Sequence, residues 1–127
     1  MLPFLKKKIR VLLLDDDPSM QRLVSTILKR AGCRVDVFLT GRDALGAIST
    51  QDYDVLLLDL MMPHEGGMTV IRHLREKKPE MLRRAVVLTA SSESVIDSVS
   101  DGVAAIVLKP FKAEQLIDTV RSVSAAA

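Results

Sequence analysis

Ile9-Arg-Val-Leu-Leu-Leu-Asp-Asp-Asp-Pro18 is the stretch that decides how this chain folds. Its apolar run, Ile9 to Leu14, shows no alternation of polar with apolar residues, the pattern of a parallel strand covered by helices on both faces. The run stops at consecutive carboxylates. Asp17 before Pro18 then reads as a helix N-cap with proline at the first helical position, so a strand gives way to a helix inside the acidic turn.

Outward from that point the same alternation repeats. Short apolar runs at Arg34 to Phe38, Val55 to Leu60, Ala85 to Thr89 and Ala105 to Leu108 imply four more strands, and all but Arg34 to Phe38 read as buried on both faces. Between the first two strands, Met20, Leu23, Val24, Ile27, Leu28 and Ala31 follow the i, i+3, i+4, i+7 spacing of a helix with one buried face, and Gly32 stops it. Further helices are predicted at Gly41 to Thr50, at Gly67 to Lys77 with Pro79 beyond it, and at Lys112 to Ser124. A fourth helix, about Ser91 to Asp101, has helical spacing at Val95, Ile96, Val99 and Val103 but is built from Ser and β-branched residues of poor helix propensity. Packing must hold it, and it reads as mobile. Ser124 to Ala127 reads as frayed. Strands alternating with helices imply an α/β fold, a doubly wound parallel sheet.

Composition sets the bounds. With 127 residues, a net charge of +2, 48% hydrophobic and 27% charged residues, the chain reads as one soluble globular domain, 1–127, with a core from about 9 to 123. A lone cysteine, Cys33, excludes a disulfide-rich secreted class and points to a reducing compartment, the cytoplasm. Charge breaks every apolar run well short of the ~18 residues of a membrane helix. The pI is 8.9. However, Lys6, Lys7, Lys8 and Arg10 are met by the acidic run and aromatics total 3%, so direct nucleic-acid binding is not expected.

Right-handed crossovers place all strand carboxyl ends along one edge, where open α/β sheets bind ligands. That edge receives Asp15, Asp16 and Asp17 from the first strand, Asp59 from the third, Thr89 from the fourth and Lys109 from the fifth. Two carboxylates ~4 Å apart repel by about 4 kcal/mol at an effective dielectric of ~20, so such a cluster calls for a cation. Hard oxygen ligands select Mg²⁺, with Mn²⁺ or Ca²⁺ as alternatives. Cys33, His64 and His73 fall on separate segments and lack zinc spacing. A divalent ion beside a carboxylate, a hydroxyl and a lysine is equipment for phosphoryl transfer. The carboxylate attacks phosphorus, and the cations and hydroxyl neutralise the phosphoryl oxygens. Pro110 restricts Lys109 to an extended conformation.

With these residues in place, the chain resembles the receiver domain of bacterial two-component response regulators from about Ile9 to Val123. Val-Leu-Leu-Leu-Asp-Asp-Asp-Pro, Asp-Leu-Met-Met-Pro, Val-Leu-Thr-Ala and Val-Leu-Lys-Pro-Phe stand in that family's order and spacing. The resemblance implies a five-stranded, flavodoxin-like sheet of order 2-1-3-4-5. It implies Asp59 as phosphoacceptor and Asp15 and Asp16 as the acidic pair. Asp16, Asp59 and the backbone carbonyl of Met61 would contact Mg²⁺, and Thr89 and Lys109 the phosphoryl group. A sensor histidine kinase or histidine phosphotransfer protein would be the donor. The face of the fourth helix, fifth strand and fifth helix would carry the change to an output partner or effector domain, with no enzymatic activity beyond self-phosphorylation and autodephosphorylation. No effector domain follows the fifth helix, so a stand-alone receiver and the receiver part of a longer regulator are both expected forms.

Some residues depart from the family's pattern. Ile106 stands where the family usually carries a switching aromatic ring, and Ala104 and Ala105 replace acidic residues used in salt-bridged dimers, which favours a hydrophobic contact on that face with a second copy or a partner. His64-Glu65-Gly66-Gly67 follows Pro63 where an Asp often precedes the glycine. Met61 and Ser91 resemble positions that tune phosphoaspartate hydrolysis, and neither is a carboxylate or amide, so a long-lived phosphoaspartate is expected.

Two competing readings come from other classes. Leu14-Asp15-Asp16-Asp17 followed by Ser19 resembles the start of haloacid-dehalogenase-like phosphatases, whose nucleophile would be Asp15; the chain is short for that family and Asp59 is then unexplained. A phosphorylation-independent interaction module is the other. His64 and His73 read as solvated, Cys33 as a buried small hydrophobe, and Gly66-Gly67 as a turn. The basic cluster Arg72, Arg75, Lys77, Lys78, Arg83 and Arg84 reads as a solvated face, with docking of an acidic partner as its alternative.

Overall fold

The computed structural model describes residues 7–62 and 66–126. The strands are β1 (Arg10–Leu14), β2 (Arg34–Phe38), β3 (Val55–Asp59), β4 (Ala85–Thr89) and β5 (Ala105–Leu108). The helices are α1 (Pro18–Arg30), α2 (Gly41–Thr50), α3 (Gly67–Lys77), α4 (Pro79–Leu82), α5 (Glu93–Val99) and α6 (Ala113–Ala126). All strand pairs are parallel, in the order β2-β1-β3-β4-β5. The doubly wound topology is thus the expected one.

Successive strand side chains point to opposite faces, so uninterrupted Val-Leu runs feed two cores at once. Val11, Leu13, Val55, Leu57, Val86 and Leu88 pack under α1 and α6 through Val24, Leu28, Leu116 and Val120. Leu12, Leu14, Leu56, Leu58 and Val87 pack on the other face with Ala44 and Ile48 of α2 and Val70, Ile71 and Leu74 of α3. Each buried leucine contributes about 1.5–3 kcal/mol relative to an exposed one. Local chemistry sets the helix starts: the Asp17 carboxylate accepts from the Ser19 amide at 2.9 Å, and the Thr40 hydroxyl from the Asp43 amide at 3.1 Å. Gly32 takes the left-handed φ of 90° that turns the chain out of α1 into β2.

Several boundaries differ from expectation. A single helical turn, α4, begins at Pro79, where the sequence pattern predicts no helix; it is held by Leu82, which is buried against the core. α5 is shorter than Ser91 to Asp101, and Val99 is its only fully buried residue. α6 continues to Ala126, so Ser124 to Ala126 are helical rather than frayed and the ordered unit passes 123. β5 is not buried on both faces. It is an edge strand, with Val107 covered and Leu108 53% exposed.

Candidate functional site

Parallel register brings the strand ends together: Leu14 pairs with Leu58, Asp59 with Leu88 and Thr89 with Leu108. The next residues of β1 and β5 are Asp15 and Lys109, which therefore stand at the same edge as Asp59 and Thr89. The Lys109-Pro110 bond is cis.

Asp15 is fully buried. Its amide donates to the Phe38 carbonyl at 3.1 Å, its carbonyl accepts from Gln21 Nε2 at 2.5 Å, and its Oδ1 accepts from the Asp17 amide at 2.9 Å. Its Oδ2 is buried with no hydrogen-bond donor among the described residues. Burial pushes the Asp15 carboxyl above the ordinary range; the neighbouring Asp59 charge adds to this, and the Asp17 amide and Lys109 oppose it. Asp59 is nearly as buried. The Met61 amide donates to its Oδ1 at 3.0 Å, leaving Oδ2 3.5 Å from Lys109 Nζ. The same ammonium lies 3.9 Å from Asp15 Oδ2. Lys109 thus bridges the carboxylates of two strands.

Asp16 is exposed at the rim, and one carboxylate oxygen from each of Asp15, Asp16 and Asp59 lies within 4.8 Å of the others. Among the described residues, one ammonium beside this group of three carboxylates leaves an excess of negative charge. With the donorless Asp15 Oδ2, this donor set fits a hard divalent cation. Met61 is placed beside Asp59 by its amide, and its side chain is exposed. Thr89 is fully buried; its hydroxyl donates to Ser91 Oγ at 2.6 Å and accepts from the Ser91 amide at 2.8 Å.

All the strand-end residues singled out in the sequence therefore meet at one edge. Other contributors carried no sequence signal. Gln21 anchors the Asp15 carbonyl from α1, a contact its place between Met20 and Arg22 does not reveal. Gly67 starts α3 against the end of β3, where a Cβ would lie 2.5 Å from the Asp59 carbonyl oxygen. The glycine there provides close backbone approach, more than the turn expected of Gly66-Gly67. The sequence suggests a hydrolysis-tuning position at Ser91, and the structure adds its bond to Thr89.

The remaining candidates resolve simply. Ile106 is half-buried and packs with Val95 and Val103 against the core on the α2 and α3 side. Cys33 is buried, and burial pushes its thiol pKa up, as expected of a small hydrophobe. His73 is exposed on α3, while His64 lies outside the described residues. Within the basic cluster, Arg75 donates to the carbonyls of Val99 and Asp101 at 3.4 and 2.6 Å, and Arg84 to that of Tyr53 at 2.7 Å. Those two side chains tie elements together rather than standing free.

The response regulator receiver domain family matches residues 11–121. The transcriptional regulatory protein TrcR of Mycobacterium tuberculosis is 35% identical over 116 residues, covering 89% of this chain and 44% of its own length. The chain spans about half the length of the curated relatives it matches. The receiver domain of the Francisella response regulator 1452 superposes with a TM-score of 0.82 at 29% identity, covering 94% of this chain and 98% of that one. A DrrB receiver domain described as BeF3-activated gives a TM-score of 0.76 at 32% identity over 92% of this chain and 97% of that one. The matched span takes in Asp59 as well as Asp15, which leaves the phosphatase alternative without support. Fold, strand-end chemistry and sequence match agree, and the chain belongs to the response regulator receiver domain family.

Proposed function

We propose that Asp59 accepts a phosphoryl group from the phosphohistidine of a sensor histidine kinase or a histidine phosphotransfer protein. The observation that carries this reading is Lys109 suspended between Asp15 and Asp59, in a carboxylate cluster with one donorless buried oxygen. Asp16, Asp59 and the Met61 carbonyl would hold Mg²⁺, with Asp15 completing the acidic pair beside them. When bound, that ion neutralises phosphoryl oxygens as a Lewis acid. A carboxylate oxygen of Asp59 forms the new bond to phosphorus, and the phosphorus–nitrogen bond breaks with its electron pair staying on the imidazole. The Met61 amide orients Asp59 for attack. Lys109 balances the charge of the phosphoryl oxygens, and Thr89 supplies a hydroxyl donor.

The 127 residues act as one receiver unit in the cytoplasm, and phosphorylation is read on the face of α5, β5 and α6 by an output partner or domain. Moving a two-state population from 1:99 to 99:1 takes about 5.5 kcal/mol of differential interaction. A phosphoryl group of about two negative charges facing Lys109 and Thr89 is of the right strength. Half-buried Ile106 offers no ring to rotate, so the change passes through Thr89 and the β4–α5 connection. Exposed Leu108 on β5 favours a hydrophobic contact, with a second copy or a partner, over a salt-bridged dimer. The phosphoaspartate outlives that of fast-cycling receivers, because neither Met61 nor Ser91 orients water; loss within seconds would contradict this.

Intact mass after incubation with acetyl phosphate and Mg²⁺ tests the reading. One phosphoryl group should be added, and Asp59→Asn or a chelator should abolish the gain. Addition that persists in Asp59→Asn would sink it, and no addition to the native chain from either acetyl phosphate or a phosphohistidine donor would leave the interaction-module reading.

A further inference from the structure

A threonine hydroxyl has one proton to donate. In this structure the Thr89 proton goes to Ser91 Oγ at 2.6 Å, and a lone pair of the same oxygen takes the Ser91 amide at 2.8 Å. Thr89 is fully buried, which removes water as a competing partner. A phosphoryl oxygen on Asp59 is an acceptor only, so Thr89 can serve it only by giving up Ser91 Oγ. Ser91 in turn precedes a weakly held helix start. Ser92, the N-cap of α5, makes no side-chain cap bond, its hydroxyl lies 3.1 Å from that of Ser94, and Val99 is the only fully buried residue of α5.

We propose that Ser91 is a positioning residue that holds the Thr89 hydroxyl away from the phosphoryl site in the unphosphorylated domain, so that phosphorylation acts on α5 by withdrawing that proton from Ser91. This rests on Asp59 as the phosphoacceptor and gives Ser91 a role through Thr89 rather than on the hydrolytic water. The pair works as a latch. Closed, it ties β4 to the residues entering α5; open, it frees them while Thr89 serves the new anion.

Beryllofluoride with Mg²⁺, a phosphoryl mimic, supplies the probe. Ser91→Ala removes the acceptor and leaves the amide, so it should bind beryllofluoride about fivefold more tightly, the factor for one net neutral hydrogen bond. Ser91→Thr, which keeps a hydroxyl, should return to within about twofold of the native chain. In a Thr89→Ala background the Ser91→Ala gain should vanish, which a merely structural role for Ser91 would not produce. Without beryllofluoride, the amides of Ser92 to Val95 should exchange faster in Ser91→Ala than in the native chain. Equal or weaker binding by Ser91→Ala, or the same gain in the Thr89→Ala background, overturns the latch. Failure of the native chain itself to bind beryllofluoride would instead bring down the phosphoacceptor reading and the latch with it.

Discussion

Replacing Asp15 by Asn should stabilise the metal-free domain while removing part of its response to Mg²⁺. The carboxylate feels Lys109 at 3.9 Å, an attraction of about 4 kcal/mol at an effective dielectric of ~20. An oxygen of Asp59 within 4.8 Å repels it by at least about 3.5 kcal/mol on the same scale. These nearly cancel. What remains is a buried anion with one oxygen lacking a donor among the described residues, which costs about 1–3 kcal/mol. Asn keeps the oxygen that accepts from the Asp17 amide and turns an NH₂ donor toward the carboxylates, so a gain of about 1–3 kcal/mol is expected, near 3–5 °C in Tm per kcal/mol for a domain of this size.

The pH dependence follows from the direction of the shift. The folded carboxyl is raised, chiefly by burial, so below its unfolded pKa both states are protonated and wild type carries no penalty. As pH rises through the folded pKa that advantage is lost. The Asn variant should therefore match wild type near the acid end and exceed it at neutral pH. Thermal unfolding with chelator across that range is the assay. Saturating Mg²⁺ should narrow or reverse the gap, because the ion stabilises the native protein by mass action. An Asp15→Asn protein less stable than wild type at pH ~7 in chelator would refute the reasoning, showing that the Lys109 attraction outweighs repulsion and burial together.

Other outcomes follow from single contacts. Gly67→Ala puts a Cβ 2.5 Å from the Asp59 carbonyl oxygen, so β3 or α3 must shift; urea unfolding should show a loss of about 1–3 kcal/mol, with slower acetyl phosphate uptake. Tyr53 is the only tyrosine, and burial together with its 2.7 Å bond to Asp36 pushes its hydroxyl up to about 12. Its tyrosinate absorbance should therefore be absent at pH ~10, and a midpoint there would contradict that environment. Asp17→Ala removes the cap on the Ser19 amide and should cost about 1 kcal/mol in thermal unfolding, with Asp17→Asn recovering most of it.

Much of this protein was legible in the chain because the governing forces are local. α2 and α3 begin and end where periodicity places them, at Gly41–Thr50 and Gly67–Lys77. The uninterrupted Val-Leu runs of β1, β3 and β4 announce burial on two faces. Less legible elements depend on distant neighbours. The turn Pro79–Leu82 is too short to carry a period and is held by Leu82 in the core. α6 runs past the apolar pattern to Ala126, since Ala125 and Ala126, of high helix propensity, continue a helix already docked by Val120 and Val123. β5 has the composition of a strand buried on both faces, yet at the sheet edge that the order 2-1-3-4-5 gives it, only Val107 is fully covered.

The site divides in the same way. Asp15, Asp16, Asp59, Thr89 and Lys109 could be named from the sequence because each ends a strand, and parallel strands with right-handed crossovers send their ends to one edge. Who touches whom required tertiary structure. Burial of Asp15, the ammonium shared between two carboxylates, Gln21 on the Asp15 carbonyl and the Thr89 proton on Ser91 Oγ all depend on ångström-scale distances. Local pattern specifies which residues reach the edge; packing of the two layers against the sheet sets the distances, and electrostatic and hydrogen-bond energies vary too steeply with distance to be read from spacing alone.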